Sequence, residues 1–119
     1  MLLSINPEHV ENIMSGNKLF EFRKVRCRND VDKIIIYSTS PVMRVVGEVQ
    51  VLEIIVDGPE QVWDITSEHS GITKVFYDKY FKNKDKAVAY RLGKIKRYEV
   101  PLSLSDLGIN FAPQSFIYV

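Results

Sequence analysis

Hydrophobic and polar positions along the chain change rhythm several times, and each change predicts an element. Residues 2–5 are a short apolar run and read as a first strand. Asn6, Pro7 and Glu8 then carry the signals of a helix start: a capping side chain, a proline suited to the first turn and an acid at the positive end of the dipole. Val10, Ile13 and Met14 follow at helical spacing, and Gly16 is the expected stop. Over residues 18–28 the period drops to two. Leu19, Glu21, Arg23 and Val25 fall on one face of the expected strand, and Lys18, Phe20, Phe22 and Lys24 on the other. The phenylalanines are expected to point inward. Residues 33–39 form a β-branched strand ending in a turn at Ser40-Pro41.

Residues 43–56 are a long apolar run broken by Gly47, Glu48, Gln50 and Glu53. The run predicts one bent strand or two, with Gly47 at the bend, as in small closed barrels. Gly58-Pro59-Glu60 opens a second helix carrying Val62, Trp63 and Ile65, and Thr73 or Ser70 caps a third with Val75, Phe76, Tyr80 and Phe81. Residues 87–92 and 95–100 read as two strands joined by a hairpin at Gly93-Lys94. A helical turn over 103–108 and a last strand over 115–119 complete the order. Strands and helices do not alternate regularly, which predicts an α+β domain with a mostly antiparallel, barrel-like sheet.

The length of 119 residues fits one domain over 1–119, and the 45% hydrophobic and 26% charged fractions are those of an ordinary globular protein. The net charge of +1 excludes a globally charge-driven partner. Charge is unevenly placed, however. Residues 45–73 hold no Lys or Arg, whereas Lys18, Arg23, Lys24, Arg26 and Arg28 form one basic group, and Arg91, Lys94, Lys96 and Arg97 another. Folding would have to bring these two groups together to make a phosphate-binding face; otherwise they are solvated surface.

A single cysteine, Cys27, precludes an internal disulfide and predicts a reducing, cytoplasmic setting. No apolar stretch is long enough to span a bilayer, and the first residues lack a basic n-region, so neither a membrane partner nor a signal peptide is expected. His9, His69 and Cys27 have no metal-ligand spacing, and neither metal nor cofactor is expected. His9 and His69 read as packing or surface residues, and Trp63 as core. Ser38, Thr39 and Ser40 are strand-end hydroxyls open to either turn chemistry or ligand contact.

Residues 15–24, Ser-Gly-Asn-Lys-Leu-Phe-Glu-Phe-Arg-Lys, resemble the ASCH domain signature Gly-x-Lys-x-x-Glu-x-Arg, matched by Gly16, Lys18, Glu21 and Arg23. Residues 2–7, 37–42 with 46–48, and 113–118 resemble further blocks of that family in the same order, so the resemblance runs along essentially the whole chain. It implies a PUA-like fold, a small mostly antiparallel β-barrel with about three short helices packed around it. A cleft at the barrel mouth would be lined by Lys18, Glu21 and Arg23. It also implies a module for RNA or a modified nucleotide or nucleoside, in translation or transcription regulation.

Physical roles follow from the residue types. Lys18 is a point charge for phosphate, and Arg23 offers a planar fork or a stacking surface. Glu21 accepts hydrogen bonds or orients Arg23. Read without the family, Glu21 and Arg23 equally describe a buried pair that ties the sheet together. Lys18 reaches the cleft only if it sits in the turn after Gly16, because alternation puts it on the phenylalanine face. Some small ASCH proteins are amidohydrolases of a modified cytidine, with Thr where this chain has Glu21. A hydrolase acting on a modified nucleoside or on RNA, with Lys18 and Glu21 catalytic, is therefore a second expectation. A regulator acting through a protein partner is a third.

Overall fold

The computed structural model describes residues 1–27 and 31–113, with the backbone pairing of 116–117. Among these residues six strands form one mixed sheet: β1 (Leu2–Ile5), β2 (Phe20–Arg23), β3 (Lys33–Ser38), β4 (Arg44–Asp57), β5 (Ala87–Leu102) and β6 (Phe116–Ile117). Three helices accompany it, α1 (Pro7–Met14), α2 (Pro59–Thr66) and α3 (Lys74–Tyr80). Short 3-10 turns lie at Ser67–His69 and Ser105–Leu107. The strand order is β2-β5-β4-β3-β1-β6. Only β1 and β3 pair in parallel; the other ladders are antiparallel. The α+β expectation with three short helices therefore holds. The pairings run as an open series from β2 to β6, and no pairing among the described residues closes them into a barrel.

Strand β5 alternates between two cores. Val88, Tyr90 and Leu92 pack with Leu3, Ile5, Val10, Ile13, Ile34 and Ile36 under α1. Ala87 and Ala89 face the other way, into Phe20, Phe22, Val62, Tyr77 and Phe81 beneath α2 and α3. Helix α1 and the α2–α3 pair thus cover opposite faces of the sheet, and each fully buried aliphatic or aromatic side chain contributes about 1.5–3 kcal/mol.

Two sequence expectations are corrected. The 87–100 hairpin does not form: β5 is a single strand of 16 residues. At Gly93 and Lys94 it carries a bulge, as its register against β4 steps from Val49↔Ile95 to Val51↔Leu92. The displaced Lys94 amide donates to Gln50 Oε1 at 3.3 Å. A Cβ on Gly93 would lie 2.6 Å from Gln50 Oε1, so glycine is there for a close approach and not for a reverse turn. Second, the strand expected over 18–28 contracts to Phe20–Arg23. Gly47 behaves as expected, sitting at a register break in β4, where a Cβ would lie 2.5 Å from the Lys96 carbonyl oxygen.

Among the described residues no helix is long and apolar enough to cross a membrane.

Candidate functional site

Helix α1 ends on Ser15, whose amide donates to the Glu11 carbonyl, and Gly16 follows at φ +82°, the left-handed turn that only glycine takes without strain. The chain reverses, and the Lys18 amide donates to the Asn12 carbonyl at 2.9 Å. Lys18 therefore lies before β2, in the turn, and this frees its side chain from strand alternation. The Leu19 amide donates to the His69 carbonyl at 2.9 Å, which draws the α2–α3 connection against the start of β2.

Lys18 is 2% exposed and Glu21 7%. Lys18 Nζ donates to the Ser70 carbonyl at 3.0 Å, lies 3.9 Å from Glu21 Oε1 and sits 4.9 Å from the centre of the Phe22 ring. Burial lowers the Lys18 pKa from its usual value, the nearby Glu21 carboxylate opposes that, and Arg23 adds to it. Arg23 Nη2 donates to Glu21 Oε2 at 2.8 Å and to the Ser4 carbonyl at 3.0 Å. One carboxylate is thus held between two cations, leaving one excess positive charge.

These groups line a cavity of about 240 Å³. Its walls come from the end of β1 and start of α1 (Ser4, Ile5, Asn6, His9), from the signature residues Lys18, Glu21, Phe22 and Arg23, and from Ile72, Phe76 and Tyr80 at α3. Two of the lining residues carry a buried polar atom, Arg23 Nε and His9 Nδ1, with no hydrogen-bond partner among the described residues. Groups of that kind are ordinarily paired, so they mark a place where a ligand or water completes the bonding. The His9 ring meets Phe76 edge to face, 5.5 Å between centroids. The Tyr80 hydroxyl donates to the Phe22 carbonyl at 3.5 Å, and burial raises its pKa.

Of the residues singled out from sequence, Lys18, Glu21 and Arg23 come together in this cavity. Arg26 is exposed beyond β2 and is not among the lining residues; Arg28 lies outside the described residues. Ser38, Thr39 and Ser40 stay off the lining as well. Ser38 is 2% exposed and pairs with Ile5, while Thr39 Oγ1 donates to Asn6 Oδ1 at 3.2 Å and so braces one lining residue. Asn6 accordingly does not cap α1 with its side chain, as expected, but turns to Thr39.

The second basic group does not join the first at this cavity. Arg91 is paired with Glu53 and Arg97 with Glu11, and Lys94 and Lys96 border a separate surface depression with Lys33 and Glu48. Trp63 packs against the second core cluster, as expected. His9 is the main correction: it is a cavity residue. Ser4, Asn6, Phe76 and Tyr80 also belong to the site, and their only sequence signals were a strand end, a cap and an amphipathic helix. Among the described residues, no group of three or more His, Cys, Asp or Glu is placed to hold a metal ion.

Comparison with known proteins places this geometry among relatives. The family profile described as the ASCH domain matches residues 3–96. A protein named ASCH domain-containing ribonuclease from Zymomonas mobilis is 33% identical, with 94% of this chain and 78% of that protein aligned. The crystal structure of ASCH from Zymomonas mobilis superposes with a TM-score of 0.89 at 27% identity, covering 99% of this chain and 85% of that one. A protein named ATP synthase subunit alpha from Ureaplasma parvum is 31% identical across the whole chain, which spans only 15% of that relative's length.

Proposed function

Because the chain belongs to the ASCH domain family, we propose that it acts on RNA, and that one nucleotide of the bound strand is seated in the Lys18–Glu21–Arg23 cavity. The observation that carries this reading is a pair of polar atoms with no partner among the described residues, Arg23 Nε and His9 Nδ1, in residues of a lining that also has aromatic walls in Phe22, Phe76 and Tyr80. Proteins that bind single-stranded RNA stack unpaired bases on aromatic rings and hydrogen-bond their edges. A cavity of about 240 Å³ is of the scale of a base or nucleoside and not of a folded RNA, so the rest of the strand lies outside. Arg26, exposed next to β2, is proposed to meet its phosphates, as is Arg28 from its sequence position. A role in transcription or translation regulation would follow from such binding.

A second reading is RNA cleavage, favoured by the ribonuclease name of the Zymomonas relative and by Lys18, a buried cation beside Glu21. The geometry supports it less well. Both Glu21 oxygens are engaged within the protein, one by Arg23 at 2.8 Å and the other facing Lys18 at 3.9 Å, so neither is free to reach a substrate hydroxyl.

The test is fluorescence anisotropy of short single-stranded RNAs with the wild type and Lys18→Met, with the RNA recovered and analysed by mass spectrometry. The expected result is binding that weakens with salt, falls at least about tenfold in the variant and leaves the strand intact. Shortened strands would establish the second reading, and absence of binding to every RNA would overturn both.

A further inference from the structure

The hydrogen-bonding groups around the cavity are unequally engaged. Glu21 receives Arg23 on one oxygen and faces Lys18 with the other. Asn6 Oδ1 already accepts from Thr39, and Ser4 Oγ donates to the Pro113 carbonyl at 2.6 Å. The lining's side-chain acceptors are therefore largely committed within the protein. Arg23 Nε is buried and has no partner among the described residues, and a guanidinium has no acceptor atom, so the partner it takes must be an acceptor. Lys18, also a donor only, stands on the same lining. His9 Nδ1 donates or accepts according to tautomer and suits whatever neighbours that acceptor.

Taking the RNA reading above as its premise, we infer that the cavity selects bases presenting a carbonyl oxygen to Arg23 Nε, and discriminates against adenine. Uracil and guanine offer carbonyl acceptors there. Adenine instead presents an exocyclic amino group beside its ring nitrogens, and that donor would face the donors of Arg23 and Lys18. A phosphate oxygen is also an acceptor, but a phosphate would leave the aromatic walls of Phe22, Phe76 and Tyr80 without a flat partner. The base carbonyl satisfies both the orphan donor and the walls.

The test compares ligands on the unmodified protein, so that folding of a variant does not decide it. Oligouridylate and oligoadenylate of equal length are titrated by anisotropy. Inosine, adenosine, uridine and inorganic phosphate are titrated by NMR, the inosine–adenosine pair changing only the edge in question. The expected result is at least about tenfold tighter binding of oligouridylate than of oligoadenylate, and of inosine than of adenosine, the scale of one buried donor left unsatisfied. Inorganic phosphate should fail to displace uridine. Arg23→Lys keeps the charge and removes Nε, and should bring the uridylate-to-adenylate ratio close to one. Equal binding of the two oligonucleotides, preference for adenylate, or displacement of uridine by phosphate would each overturn the inference. Loss of all RNA binding would instead strike the premise, and is distinguishable because no oligonucleotide would give a signal.

Discussion

Lys18 and Glu21 are unequal partners in the same buried cluster. Glu21 is the sole carboxylate among the described cavity residues, and both Lys18 and Arg23 face it. Removing its charge leaves two cations largely out of water with no counter-charge, and breaking such a buried pair from one side costs about 3–5 kcal/mol. Lys18→Met removes a buried charge, fills a similar volume and leaves the Arg23–Glu21 bond at 2.8 Å intact, so its cost should stay within about 1.5 kcal/mol. Urea unfolding of the two variants at neutral pH checks the ordering; a Glu21→Gln protein as stable as Lys18→Met would show that the carboxylate does not organise the cluster. The identity of this cluster was legible in the sequence through the spacing of Gly16, Lys18, Glu21 and Arg23. The place of Lys18 was not, because alternation assigns it to the phenylalanine face, and only the short β2 with its preceding turn releases it.

At the level of elements, the site depends on how closely the α2–α3 connection approaches β2. Gly71 sits in that connection at φ +72°, and a Cβ there would lie 2.5 Å from Lys18 Cβ. Gly16 has a similar φ of +82° but open space around it. Substitution by alanine should cost about 1–2 kcal/mol in backbone strain at either position. At Gly71 it must also displace Lys18, so Gly71→Ala should lose RNA affinity at least about tenfold while Gly16→Ala largely keeps it. Paired denaturation and anisotropy measurements separate the two effects. Local signals located most elements well: β3 is a β-branched run, Gly58-Pro59 opens α2, and Thr73 caps α3 by accepting from the Phe76 amide. They misread β5 because Gly93-Lys94 has the composition of a turn, and the reason for the glycine, the nearness of Gln50 and Leu52 on β4, is a contact between residues distant in sequence. His9, Phe76 and Tyr80 were missed as site residues for the same reason: α1, β2 and α3 converge only in three dimensions.

For the molecule as a whole, two buried phenols connect stability to alkaline pH. Tyr77 lies in the cluster under α2 and α3, donating to the Pro59 carbonyl at 2.6 Å, and Tyr90 lies in the cluster under α1, accepting from the Cys27 amide at 3.4 Å. Burial raises both pKa values well above the ordinary phenol value of 10. A raised folded-state pKa means that the unfolded chain loses these protons first. The stability they protect is complete below pH 10 and declines as pH climbs from there toward the raised folded-state values. Urea midpoints should therefore fall with increasing pH above about 10. Tyr77→Phe and Tyr90→Phe should each flatten that fall relative to their own values at pH 8. An unchanged slope in both variants would assign the alkaline loss to other groups.

The outer ladder of the sheet has a mechanical consequence. Leu2 stands opposite Ile117 and Leu3 opposite Phe116, so β1 and β6 lie side by side at the edge of the sheet. The cavity meets β1 at its other end, at Ser4 and Ile5. Tension applied across this ladder therefore enters the sheet away from the pocket. It would load the β1–β6 seam before it reached Lys18 or Arg23, and that seam, with two residues of ladder, would part first.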